Sequence, residues 1–159
     1  MMKLLGVTAL GLLLTTALAA GDGTQPDFSG TWRFNPAKSR LESTAPTKSI
    51  FVIEHQDPRF KLTRTHTRGE RSDTLTIEVT TDGREYHRKE GEYESWTRMT
   101  WMGEELVLDM KMAYRGEQGT NVVHYRLAGG GKTFIAAEWY HMPGKVHHNL
   151  WVFDREPEE

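Results

Sequence analysis

The chain has 159 residues, with 20 Lys plus Arg against 22 Asp plus Glu, seven His and no Cys. A formal charge of −2 provides no basic field for nucleic acid. The lack of cysteine excludes disulfide staples, thiolate zinc sites, a thiol nucleophile and lipoprotein-type acylation. The length suits one domain.

Met1–Ala20 holds one charge (Lys3), an apolar run from Leu4 to Leu14, and small residues at Ala17, Ala19 and Ala20. This is the layout of a secretory signal peptide cleaved after Ala17-Leu18-Ala19. The run is interrupted by Gly6, Thr8 and Gly11 and is short for a membrane span. The expected organisation is therefore a signal peptide at 1–20, a short linker at 21–27 and a domain at 28–156. Cleavage removes Lys3, takes the formal charge to −3, leaves no membrane span, and places the mature protein in the periplasm or outside the cell.

From residue 28 onward, turn signals recur about every ten residues: Asp57-Pro58, Arg68-Gly69, Asp82-Gly83, Met102-Gly103, Gly116 to Gly119, Gly129-Gly130-Gly131 and Pro143-Gly144. Between them apolar and polar residues alternate. Leu75, Ile77 and Val79 alternate with Thr74, Thr76 and Glu78, and Leu106, Leu108, Met110 and Met112 with Val107, Asp109 and Lys111. The pattern predicts ten strands, near 28–34, 49–56, 59–66, 73–80, 84–90, 94–101, 105–114, 119–127, 132–141 and 146–154. The link Pro36 to Ser49 is longer, with one or two helical turns expected at Asn35–Leu41, and can fold over one end. Short connections and the need to hide sheet edges point to an all-β fold. The expectation is a single antiparallel up-and-down β-barrel with a short helical or irregular segment near 35–48.

The domain opens Phe28-Ser29-Gly30-Thr31-Trp32 and closes Trp151-Val152-Phe153-Asp154-Arg155. These ends resemble the calycin superfamily of ligand-binding barrels, and within it small exported bacterial lipocalin-like proteins. There a Gly-x-Trp opens the first strand and a basic residue from the last strand packs across the Trp. The resemblance implies structural roles for Gly30, Trp32 and Arg155. The Thr-Asp-Tyr motif of typical lipocalins is absent, and ten strands are closer to fatty-acid-binding and nitrobindin-type barrels. In fatty-acid-binding proteins, buried Arg and Tyr groups hold the ligand carboxylate. Trp151 and Phe153 stand where their last-strand Arg-x-Tyr would fall, so that site does not carry over.

Hairpin geometry predicts which side chains face the lumen. Asp82-Gly83 as a two-residue loop sets Val79 opposite Tyr86 and Ile77 opposite Arg88. Met102-Gly103 sets Met99 opposite Leu106 and Thr97 opposite Leu108. Pro143-Gly144 sets Tyr140 opposite His147, Glu138 opposite Asn149 and Ala136 opposite Trp151. The expected ligand-binding residues are Arg64, His66, Tyr86, Arg88, Met110, Tyr125, Tyr140, His147 and Trp151. Arg64 and Arg88 are the candidate anion contacts, and Glu138 is a salt link balancing one of them. Two arginines inside suit a wet cavity better than a filled core.

These readings imply binding of a small hydrophobic or amphipathic molecule, anionic ones included, with no catalytic residues and no cofactor. A cell-envelope interaction module with a filled core is one alternative, and haem or metal binding through His66 or His147 another. No nucleic-acid partner is expected. Trp139 and Ile135 face outward in this register, which suits a monomer or a weak homodimer.

Overall fold

The computed structural model describes residues 25–157. The leader expected at 1–20 lies outside the described residues, as do residues 21–24 of the linker. The strands are β1 (Gly30–Phe34), β2 (Arg40–Leu41), β3 (Lys48–Gln56), β4 (Arg59–Arg68), β5 (Arg71–Thr80), β6 (Tyr86–Glu90), β7 (Tyr93–Met102), β8 (Glu105–Tyr114), β9 (Glu117–Ala128), β10 (Thr133–Met142) and β11 (Lys145–Arg155). Every pairing is antiparallel, in the order β5-β4-β3-β1-β11-β10-β9-β8-β7-β6, with the two-residue β2 also on β11. The sheet curls into a nearly closed barrel because alternate side chains must leave water together. In β8, Leu106, Leu108, Met110 and Met112 are buried while Asp109 and Lys111 are exposed.

No helix occurs among the described residues, which corrects the helical turns expected at Asn35–Leu41. The chain is caught by β11 before a helix can propagate. The Asn35 amide donates to the Val152 carbonyl at 2.8 Å, and Ser39 Oγ donates to the Asn35 carbonyl at 2.8 Å while accepting from Val152 N at 2.9 Å. The segment then runs along β11 as β2 (Asn149 opposite Leu41), continuing the line of β1 instead of capping the barrel.

The Pro143-Gly144 register matches expectation throughout, with Tyr140 opposite His147, Glu138 opposite Asn149 and Ala136 opposite Trp151. In the β7–β8 hairpin, Met99 faces Leu108 and Thr97 faces Met110, a shift of two residues from expectation, because Gly103-Glu104 forms the turn. A two-residue shift keeps every side chain on its own face.

The 82–83 turn differs in kind. Among the described residues β5 and β6 share no ladder, so the expected Val79–Tyr86 and Ile77–Arg88 pairs do not form. Asp82 is held by its own chain, accepting from Thr80 Oγ at 2.5 Å and Arg84 N at 3.1 Å. Gly83 N then donates to the Met99 carbonyl at 2.9 Å and Asp82 bridges to Thr100, so the link docks on β7 and leaves a gap in the wall.

The two ends of the barrel are filled differently. At one end Phe28, Trp32, Phe134 and Phe153 are fully buried, with ring centroids 5.4 Å apart for Trp32–Phe134 and 5.6 Å for Phe134–Phe153. The Arg155 guanidinium lies 4.1 Å over the Trp32 ring and donates to the carbonyls of Gly131 (2.8 Å) and Ser29 (2.7 Å). Gly30 is obligatory beneath it. Its φ is +137°, and a Cβ there would sit 2.5 Å from an Arg155 nitrogen.

Candidate ligand-binding site

The other half of the barrel is hollow. A cavity of about 270 Å³ lies between β4–β5 on one side and β8–β11 on the other. That is just below the roughly 300–1,000 Å³ of drug-sized sites. It holds about nine waters at about 30 Å³ each, or a ligand on the order of ten non-hydrogen atoms. Its apolar walls come from the inward alternation: Leu62 on β4, Leu75 and Ile77 on β5, Leu108, Met110 and Met112 on β8, and Val123 on β9.

Arg64, His66, Met110, Tyr125, Tyr140 and Trp151, all expected at the site, line this cavity together. The other expected residues lie elsewhere. Tyr86 lines a wider depression of about 940 Å³ that also takes in the outward Glu54, Lys61 and Glu78, so it is open surface rather than an enclosure. The Tyr86 hydroxyl is 2.9 Å from Thr80 Oγ, a side-chain bridge across the gap. Arg88 does share the inward face through its register with Ser95. Without a β5 neighbour, however, its side chain is 54% exposed and paired with Glu90 at 2.6 Å. Its expected placement in the lumen is thereby corrected. His147 stands opposite Tyr140 on β11, rings stacked at 6.0 Å, and is not part of the cavity lining; its Nε2 is buried and unpartnered among the described residues.

Three polar features give the cavity its chemistry. Arg64 donates to Asp73 at 3.0 Å, Arg68 adds a contact to the same carboxylate at 3.3 Å, and Arg64 Nε is buried without a partner among the described residues. His66 is buried, 2.8 Å from Ser49 Oγ and stacked on Trp151 at 5.4 Å. Burial, aided by the positive Arg64 and Arg68, pushes its pKa down to about 4, so the ring is neutral at pH 7. Burial likewise raises the phenols of Tyr125 and Tyr140.

The third feature is Glu138. It accepts from Asn149 Nδ2 and Trp151 Nε1, both at 2.9 Å, and from Asn121 Nδ2 at 3.1 Å. The arginine link expected for it does not form. The carboxylate and Arg64 stand on different walls, and neutral donors on the neighbouring strands reach it first. Asn121 was not among the expected residues. Two steps of alternation back from Tyr125 along β9 reach it, which was the available signal.

No family model and no curated protein matches the sequence. Solved structures do match in shape. Human cRBP IV, a cellular retinol-binding protein, superposes with a TM-score of 0.53 at 15% identity, over 82% of this chain and 99% of that one. A zebrafish ileal bile acid-binding protein complexed with cholic acid gives 0.50 at 13% identity, over 81% and 98%. A secretory abundant heat soluble protein from Ramazzottius varieornatus gives 0.52 at 13% identity, over 82% and 97%. What these structures share with the chain is the fold, a nearly closed antiparallel β-barrel of about ten strands. In this barrel the Gly30, Trp32 and Arg155 plug occupies the solid end, and the cavity with Glu138 and Arg64 the hollow end.

Proposed function

We propose that this chain is a carrier that takes a small, mainly apolar molecule into the 270 Å³ cavity, and that it binds its ligand rather than transforming it. The observation that carries the reading is the unequal filling of the barrel. The inward residues of the solid end interlock, whereas those of the hollow end enclose room. Burial of about 200 Å² of apolar ligand surface in that room is worth about 5 kcal/mol before the costs of association. Retinol and bile acid binding by similarly shaped barrels supports the same reading. The Met1–Ala20 pattern supports export as the setting in which the carrier works.

The ligand's polar end has two possible receivers, Arg64 and the Glu138–Asn121 pair. Native mass spectrometry of protein purified from its own host tests the carrier reading. A bound molecule of low mass that leaves on mild activation is the expected result. Ligand-free protein that also takes up no added apolar probe of this size would overturn it.

A further inference from the structure

The charges around the cavity are answered unequally. Arg64 already faces Asp73 at 3.0 Å. Glu138 has only neutral donors. Among the described residues no Lys, Arg or His nitrogen lies within 4 Å of its carboxylate. Lys145 stands over the Tyr140 ring at 5.7 Å and makes no ion pair with it.

The geometry around Glu138 is also held from behind. Asn149 Oδ1 accepts from the backbone of Glu42 (2.9 Å) and Ser43 (3.2 Å), which turns its Nδ2 towards Glu138. Because a carboxylate only accepts, Asn121 must present its Nδ2 to Glu138, and this aims Asn121 Oδ1 elsewhere. That oxygen is buried without a partner among the described residues. The β9–β10 wall thus offers the cavity the second lone pair of Glu138 Oε1, in a lining shared with Trp151, Tyr140 and Tyr125.

We propose that the cavity selects amphiphiles whose polar end is a cationic nitrogen, received by the Glu138 carboxylate, with the apolar part against Leu108, Met110 and Leu62. The inference rests on the carrier reading and assigns the charge class of its ligand. An ammonium donates to the Glu138 carboxylate and meets the unanswered charge, so its hydrogen bond is charge-assisted. Aromatic rings beside it add cation–π attraction. A carboxylate ligand must instead share Arg64 with Asp73 and sit in one chamber with Glu138. Arg64 keeps N–H groups beyond the one it gives to Asp73, and these can serve a neutral acceptor further along the ligand.

The test is calorimetric titration of the full chain at pH 7 with n-octylamine, 1-octanol and octanoate, which share one chain length and fit the volume. The amine is expected to bind at least tenfold more tightly than the alcohol, and octanoate most weakly. In Glu138→Gln, which keeps the size and the hydrogen-bond acceptor, the amine should lose at least tenfold while the alcohol stays within threefold. An amine no tighter than the alcohol, or octanoate tightest, overturns the charge assignment while uptake of the alcohol leaves the carrier reading intact. Failure of all three probes overturns both. The ranking in the unmodified protein decides the matter even where the Gln variant does not fold.

Discussion

Arg155 shows how one side chain closes an end of the barrel. It lies on the Trp32 ring at 4.1 Å and satisfies two carbonyls from separate parts of the chain, Ser29 and Gly131. Removing it forfeits a cation–π contact of about 1 kcal/mol and leaves part-buried carbonyls less well satisfied. Arg155→Ala should therefore cost about 1–3 kcal/mol in urea unfolding. Arg155→Lys should recover only part of this, because an ammonium cannot stack and fork at once. A variant with the unmodified midpoint would show that the stack contributes nothing.

His66 gives the residue scale a pH signature. Its pKa is about 4 in the folded state against an ordinary value of about 6.5, so between these values the unfolded chain binds more protons than the folded one. Stability contributed by the neutral ring is present above about pH 6.5 and is lost as pH falls towards 4. The full loss is on the order of 3 kcal/mol. Urea unfolding at pH 7 and pH 4.5 checks this. The unmodified protein should lose more stability between the two than His66→Gln does, and equal losses would remove His66 as the source.

At the scale of elements, the wall is continuous except between β5 and β6, where the Thr80–Tyr86 contact, the Asp82–Thr100 bridge and the Asp57 carboxylate, which accepts from Thr81 and Trp101, hold the sides together without a ladder. Amides of β5 and β6 that point into the gap have no ladder partner, so they should exchange with deuterium well before those of β10, which is paired on both sides. Equal protection of the three strands would mean that the gap closes in solution.

The same elements show what the sequence could disclose. Strict alternation made β5 and β8 readable, and Pro143-Gly144 admitted one register, so the inward set of β10 and β11 followed. Asp82-Gly83 has the composition of a hairpin turn, but the Asp82 carboxylate bonds to Thr80 and Arg84 and redirects the chain. Local composition does not contain that competition. Arg88 was assigned the correct face and the wrong surroundings, since its exposure depends on a neighbour strand that never arrives. The three donors on Glu138 come from β9 and β11, so its setting exists only once both registers are in place.

For the whole molecule, the division into a solid and a hollow half makes the two ends respond oppositely to added volume. Leu106 is fully buried in the solid end, whereas Ala136, also buried, borders the cavity. Leu106→Phe must push aside packed rings and should cost about 1–3 kcal/mol. Ala136→Leu places its extra carbons in empty space, gains contacts that the hollow lacked, and should stay within about 1 kcal/mol of the unmodified protein. It should also reduce 1-octanol binding more than tenfold, because the added side chain takes the ligand's room. Urea unfolding of both variants with octanol titration of Ala136→Leu checks the pair. If Ala136→Leu proved as costly as Leu106→Phe, the hollow half would be packed in solution, and the barrel would be a filled core with no chamber to offer.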